Sequence, residues 1–389
     1  MQQQPLVDYN KIVCDNGTGY LKLGYAGDSI PRFAIPSIVG RPMLRSNQKI
    51  GDLELKEVMY GDEAAPYRAL LDIRYPIAEG KIQNWDDFSA LWDYSFKQRM
   101  GIKDLSDKKI LVTEAALNPK KNREKMAEQI FEKHGFGGCM FESQAILSLM
   151  CEGHNTGIVV DSGDGVSHVI PVVDGYIQDH AIRRLNLAGR HVTNYLVRLL
   201  MQSGYAFNSS ADFETVKEIK EHLCFVSYDI EKDKKLAVET TLLDKEYVLP
   251  DNSIIKVGRE RYQAAECLFN PSLAGVEDAG IAHKTYDSLS VCEMDHFLPL
   301  TQNIIMTGGT TMFPGLSTRM YKELAAIMTA EKYKGDASRV SKTGMTVHDP
   351  PRRKHAVFIG GSFLANGSAD HQWISKAAWQ EKGARICWE

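Results

Sequence analysis

The same acidic, glycine-broken turn occurs twice in this chain, as Asp15-Asn16-Gly17-Thr18-Gly19 and as Asp161-Ser162-Gly163-Asp164-Gly165. Each follows a short apolar run, Lys11-Ile12-Val13-Cys14 and Gly157-Ile158-Val159-Val160, and each precedes a second apolar stretch that closes a hairpin. A strand-turn-strand of this kind brings backbone N–H groups and a carboxylate to one point. Its glycines allow positive φ and close approach of a ligand. Two such turns, one from each half of the chain, can face each other across a cleft and grip a polyphosphate from both sides. Either turn alone reads equally well as an ordinary tight hairpin. The pair, with like flanks, points to a nucleotide site and to a weak internal duplication.

At 389 residues the chain is long enough for two domains. With 43% apolar and 25% charged residues it reads as globular rather than disordered. A net charge of −4 provides no global field toward nucleic acid or anionic membrane. The seven cysteines form no C-x-x-C pair, so neither a disulfide framework nor a zinc ribbon is expected. The N-terminus has no secretory pattern, and no run approaches the ~18 apolar residues of a spanning helix. These features predict a reduced cytosolic or nuclear compartment and no membrane insertion.

Strands and helices alternate along both halves. Asn84-Trp85-Asp86-Asp87-Phe88 opens a helix whose stripe Phe88, Leu91, Trp92 and Phe96 belongs to a core. A buried strand is expected over 110–114, and helices over 122–134, 142–151, 190–202 and 212–226. Residues 229–262 read as charged and then strand-like, and 304–306 as a buried strand before a helix from Leu316. The run Ala356-Val357-Phe358-Ile359 reads as a further strand. Residues 330–345 are expected as an exposed insertion, and a mobile loop is expected near 45–55. The pattern predicts two α/β domains with mixed sheets.

A magnesium nucleotide held between two hairpins needs N–H donors without side chains in the way. Gly17, Thr18 and Gly19 on one side and Gly163, Asp164, Gly165 and Val166 on the other can supply them. Magnesium keeps most of its water, so Asp15 and Asp161 would reach it largely through that water. Lys22, on the strand after the first turn, is placed to offset phosphate charge, or is a solvated strand residue. Gly308-Gly309 lies between a strand and a helix, where a flat base could rest, or is a simple turn. Lys217, Lys220 and Glu221 could wall the base, or form a solvated face. Hydrolysis needs a water in line with the γ-phosphorus. Gln144 and His168 are candidates to orient it, and a glutamine, being no strong base, implies at most a slow ATPase. There is no P-loop, no dinucleotide fingerprint and no H-E-x-x-H motif. The basic clusters Lys120-Lys121-Asn122-Arg123 and Arg352-Arg353-Lys354 read as solvated surface rather than as nucleic-acid contacts.

Paired Asp-x-Gly-x-Gly hairpins with a Gly-Gly loop resemble the actin, Hsp70 and sugar-kinase superfamily, whose fold is ribonuclease H-like. Several stretches are similar to the actin family itself. Among them are Tyr25-Ala26-Gly27-Asp28, Gly61-Asp62-Glu63-Ala64, Leu117-Asn118-Pro119-Lys120, Gly308-Gly309-Thr310-Thr311-Met312 and Trp373-Ile374-Ser375-Lys376. Val39-Gly40-Arg41-Pro42, Glu239-Thr240-Thr241 and the segment around Lys334-Gly335-Asp336 resemble an actin-related branch of that family. The resemblance runs essentially end to end. It implies an α/β, actin-like fold of two duplicated domains around a central nucleotide cleft, in four subdomains. Residues 1–36, 76–151 and 356–389 would form the first, 37–75 the second, 152–187 and 277–355 the third, and 188–276 the fourth.

The resemblance also implies ATP with Mg²⁺ as cofactor, Ca²⁺ substituting in vitro. By it, Asp15, Gly17, Thr18, Gly19, Tyr20 and Lys22 form the first phosphate loop, and Asp161, Ser162, Gly163, Asp164, Gly165 and Val166 the second. Lys217, Lys220 and Glu221 lie beside the adenine, and Gly189 is a further nucleotide-binding residue. Gly308, Gly309, Thr310, Met312, Phe313 and Lys354 form its other wall. Gln144 and His168 position the attacking water, and Asp161 is the third catalytic residue. The implied role is that of a subunit in a multisubunit complex that nucleates branched actin filaments in the cytoplasmic cytoskeleton. Its partners would be a sister actin-related protein, the other subunits, actin filaments and nucleation-promoting factors. A conventional actin that polymerises alone and a sugar kinase remain the alternatives. Residues 281–300 and 384–389 depart from the family's pattern.

Overall fold

The computed structural model describes residues 6–43, 56–207 and 210–388. The loop expected near 45–55 lies outside the described residues. The chain divides into two compact units, Met1–His154 with His355–Glu389, and Asn155–Lys354.

In the first unit, strand Asp8–Asn16 turns back as Tyr20–Ala26 and then as Phe33–Pro36. On its other side Asp8–Asn16 pairs in parallel with Lys109–Glu114, which pairs in parallel with Gly138–Ser143. Strand Ile374–Ser375 closes the edge of this six-stranded sheet. Both faces of its central strands are covered, so Ile12-Val13-Cys14 and Ile110-Leu111-Val112 are continuously apolar rather than alternating. Ile12 and Cys14 face a cluster with Phe88, Leu91, Trp92 and Phe96. Val13 and Leu111 face the opposite cluster with Leu147 and Phe358. Asn84 caps the helix Trp85–Asp93 by accepting hydrogen bonds from the N–H groups of Asp86 and Asp87.

The second unit repeats this plan. Hairpin Gly157–Ser162 and Ser167–Val173 pairs in parallel through its first strand with Ile304–Thr307, which pairs in parallel with Val347–His348. Tyr176–Ile177 and Arg183–Leu185 extend the hairpin side. Both sheets thus run hairpin, then parallel strand, then parallel strand, with an Asp-bearing turn at the end of the first strand. The expected duplication is visible as shared topology. One apolar cluster joins this sheet to helices Gly189–Gln202, Ser210–Leu223, Glu260–Glu266, Ile281–Val291 and Leu316–Ile327.

Four expected elements differ. The run from Ala356 is a helix, Ala356–Gly367, not a strand. A short apolar run is buried all round in either form, and periodicity cannot choose. Packing chooses here: a Cβ on Gly360 would sit 1.9 Å from the Leu147 carbonyl oxygen, so two helix backbones touch. Glu142 and Ser143 end a strand, and the helix is Gln144–Cys151, capped by Ser143. The helix expected over 212–226 ends at Leu223. Residues 230–239 form a helix capped by Asp229 before the hairpin Lys245–Val248 and Ile254–Val257. The insertion at 330–345 is largely exposed but anchored by buried Val340, Thr343 and Met345.

A pH effect follows from the first unit's core. The His134 side chain is 1% exposed and lies against Trp92 and Phe96, with Nε2 3.1 Å from Ser89 Oγ. Burial pushes its pKa down to about 4, although Asp93 pulls the other way. The unfolded chain takes up a proton near pH 6.5 that the folded ring refuses. Stability is therefore unaffected above that pH and falls as pH drops from 6.5 toward 4. The loss between pH 7 and 5 is about 2 kcal/mol. Denaturant midpoints measured across this range should drop less for His134→Phe than for the parent. Parallel curves would contradict the assignment.

Candidate functional site

Each unit carries its own cluster. In the first, Asp15 ends a central strand and is 3% exposed. Its Oδ2 accepts from Lys22 Nζ at 2.9 Å, and its Oδ1 accepts from Thr113 Oγ1 at 2.7 Å and Gln144 Nε2 at 3.2 Å. Lys22 is thus paired, not solvated, and Gln144 stands beside the turn carboxylate. Thr113 was not anticipated. It sits across a parallel strand pair, so only the register brings it to Asp15.

The turn itself differs from expectation. None of its glycines adopts positive φ. Gly17 is required for space, since a Cβ there would lie 2.6 Å from the Tyr20 carbonyl oxygen. The Gly17 amide is spent on Asp15 O, while Gly17 O and Gly19 O accept from Ser37. Thr18 is buried and its Oγ1 accepts from Gly80 N; Tyr20 is 36% exposed. Among the described residues, none accepts a hydrogen bond from the amides of Thr18 and Gly19.

In the second unit, Asp161 is half-buried and stands opposite His168 across the hairpin and opposite Thr307 across the parallel pair. His168 is 2% exposed. Ser162 is fully buried and bonded to Ser167 Oγ, so its side chain is structural. Gly163 N bonds Val166 O, and Asp164 binds Arg190 through its carboxylate at 2.6 Å. As in the first turn, no described residue accepts from the amides of Asp164 and Gly165, and no glycine here needs positive φ. Val166 and Gly165 are buried.

The Gly308-Gly309 loop is built onto this turn. Gly308 has φ +92°, and a Cβ there would lie 2.3 Å from Ser162 O and 2.7 Å from Asp161 Oδ1. Gly309 has nothing within 4 Å of an added Cβ, leaving its face open. Thr310 Oγ1 donates to Gly163 O at 2.6 Å, and Gly189 N donates to the same oxygen at 3.0 Å. Gly189 is glycine because a Cβ would meet Thr310 Oγ1 at 2.7 Å. Met312 is half-buried and Phe313 is buried.

Arg353 holds the loop from behind and corrects the reading of its cluster as solvated surface. It is 8% exposed and donates to Thr311 O, Asp349 O and Pro350 O. Its own carbonyl accepts from Gly308 N and Thr307 Oγ1. Its neighbour Lys354 is exposed. Lys220 is likewise buried and donates to Gly189 O and Thr193 Oγ1, tying its helix to the start of Gly189–Gln202. Burial lowers its pKa. Lys217 pairs with Glu214 at 2.6 Å, and Glu221 is exposed. Arg123 also leaves the surface reading, pairing with Glu114 and lying 4.6 Å from the Trp388 ring.

Among the described residues no three His, Cys, Asp or Glu side chains converge as a metal cluster. Each unit instead offers a turn carboxylate, Asp15 or Asp161, beside backbone amides that no described residue accepts from, and such amides suit an anionic oxygen.

The family model for actin matches residues 7–389. The chain belongs to the actin family. It is 48% identical over 376 residues to Actin-related protein 2 of Schizosaccharomyces pombe, covering 96% of each chain. It is 48% identical over 378 residues to Actin-related protein 2 of Saccharomyces cerevisiae, covering 96% of this chain and 97% of the relative. Against Actin-related protein 2 of Drosophila melanogaster it is 46% identical over 384 residues, covering 97% and 96%. The resemblance read from the motifs is therefore correct for the family and for the branch. No helix among the described residues is long and apolar enough to cross a membrane.

Proposed function

We propose that the chain is an ATP-binding subunit of the actin-related protein 2/3 complex, which nucleates branched actin filaments. The observation that carries this reading is the near full-length similarity, at 46–48% identity, to three proteins named Actin-related protein 2. Nucleotide binding with a divalent cation is general to the actin family. The two loops of open amides support it, because phosphate oxygens need donors that no side chain covers.

In this reading both turns bind one Mg-ATP. Asp15 and Asp161 hold the cation, mostly through its water. Thr18, Gly19, Asp164 and Gly165 donate amides to phosphate oxygens, and Lys22 supplies positive charge shared with Asp15. Gly309, Met312 and Lys354 lie along the base, with Lys217 and Glu221 on the other side. The bound cation offsets phosphate charge. Gln144 and His168 orient the attacking water, and the glutamine is no strong base, so turnover is slow and acts as a switch. The nucleotide state biases an arrangement in which the chain pairs with a sister actin-related protein and templates a daughter filament. The four-subdomain division belongs to the same reading, as does a place in the cytoplasmic actin cytoskeleton with nucleation-promoting factors as activators.

Two experiments test it. Tagged protein purified from its native cell should bring down a fixed, stoichiometric set of partner subunits; pelleting of the pure chain by itself would instead identify a conventional actin. Asp161→Ala should weaken Mg-ATP binding by about 1–3 kcal/mol, the cost of lost charge-assisted contacts. Unchanged affinity in calorimetry would remove that turn from the site.

A further inference from the structure

The second unit contains a cavity of about 520 Å³ that shares no residue with the turn and loop cluster. That volume lies in the range of small-ligand pockets. Tyr195 and Leu199 line it from helix Gly189–Gln202, Ile230 from helix Ile230–Glu239, and Leu273 from the turn beyond Glu260–Glu266. One wall, helix Ile230–Glu239, buries none of its residues, so it can adjust to an occupant at little packing cost.

The charges of the cavity are unequally compensated. Glu266 gives both oxygens to Arg319, at 2.9 and 3.2 Å. Glu231 and Lys234 pair with each other at 2.8 Å on the exposed rim. Glu260 is 5% exposed, and its nearest cation is Arg259 Nε at 3.7 Å, on a side chain that is 61% exposed and so hydrated. Its oxygens accept from Ser203 Oγ at 2.5 Å and Gly258 N at 2.9 Å, leaving further acceptor capacity on each. A buried carboxylate with a weak counterion, in a cavity also lined by Tyr195, Leu199 and Leu273, selects a cation carried on an apolar stem. The amides of Gln202, Gln263 and Asn270 also line the cavity, and each offers both a donor and an acceptor, as a peptide main chain requires.

We propose that this cavity binds an arginine side chain presented by a partner polypeptide, with the guanidinium at Glu260 and the stem along Tyr195, Leu199 and Leu273. The site is separate from the nucleotide cluster and does not depend on it.

The test is calorimetry on the full chain saturated with Mg-ATP, titrated with acetyl-Leu-Arg-Leu-amide. Matched peptides carry citrulline or glutamate at the centre, and agmatine is the free-guanidine arm. The arginine peptide should bind with Kd below about 1 mM, and the citrulline and glutamate peptides at least about tenfold more weakly. Glu260→Gln should weaken the arginine peptide about tenfold. Leu273→Trp, at a rim position 38% exposed, fills the cavity from outside and should abolish binding while Mg-ATP affinity stays unchanged. No binding of the arginine peptide, equal binding of all three peptides, or insensitivity to Leu273→Trp would overturn the site. Agmatine binding as tightly as the peptide would overturn the polypeptide partner.

Discussion

Gly308→Ala is expected to unfold the acidic turn of the second unit. Gly308 has φ +92°, and an added Cβ would lie 2.3 Å from the carbonyl oxygen of Ser162 and 2.7 Å from Asp161 Oδ1. Both neighbours belong to the acidic turn, and the nearer is backbone, so no rotamer change relieves the overlap. Left-handed backbone costs a non-glycine residue about 1–3 kcal/mol, and overpacking adds about 1–3 more. The variant should therefore lose roughly 2–6 kcal/mol in denaturant unfolding. Any displacement of Asp161 also moves the carboxylate proposed to face magnesium, so Mg-ATP affinity should fall about a hundredfold or more. Gly309→Ala is the control. Its Cβ would meet nothing within 4 Å, and stability should stay within about 0.5 kcal/mol. Equal stability of the two variants would show that the loop does not rest on the turn.

Arg319→Ala should cost the second unit about 3–5 kcal/mol, the range for breaking one side of a buried ion pair. Arg319 is 6% exposed on helix Leu316–Ile327. It donates to both oxygens of Glu266, to Glu323 Oε1 at 2.6 Å and to Ser227 O at 2.7 Å, with its guanidinium 4.8 Å from the Phe269 ring. Removing it strands Glu266, whose pKa burial already raises against the pull of this arginine. Without the arginine the pull that opposes burial is gone, so the carboxyl's pKa should rise further. The double variant Arg319→Met with Glu266→Leu should recover most of the loss, because it buries no orphan charge. A single variant as stable as the parent would show that the pair is dispensable.

The local features of both turn clusters were legible because they are written in short patterns. The Asp-Gly turns, the Asn84 cap and the stripe Phe88, Leu91, Trp92 and Phe96 all depend on neighbours within a few residues. Long-range contacts were not legible. Thr113 reaches Asp15 from 98 residues away, and the Arg353 carbonyl takes the Thr307 hydroxyl from 46 residues away. Arg353 looked like surface because it sits in a basic run, and its burial follows only from how the chain returns beneath the Gly308 loop. The turn glycines were read for positive φ, yet the structure uses Gly17 for clearance and keeps positive φ for Gly308.

Membership in the actin family, the paired hairpins, the duplicated order of elements and the identity of the turn carboxylates came from the sequence alone. These rest on motif spacing and on apolar runs, which survive without knowledge of what packs on them. Tertiary structure alone decided that Ala356–Gly367 is a helix, that Lys22 and Gln144 meet at Asp15, and that Gly308 closes over Ser162. Such choices depend on parallel register and on the approach of one backbone to another, and both are set by the close packing of segments far apart in the chain.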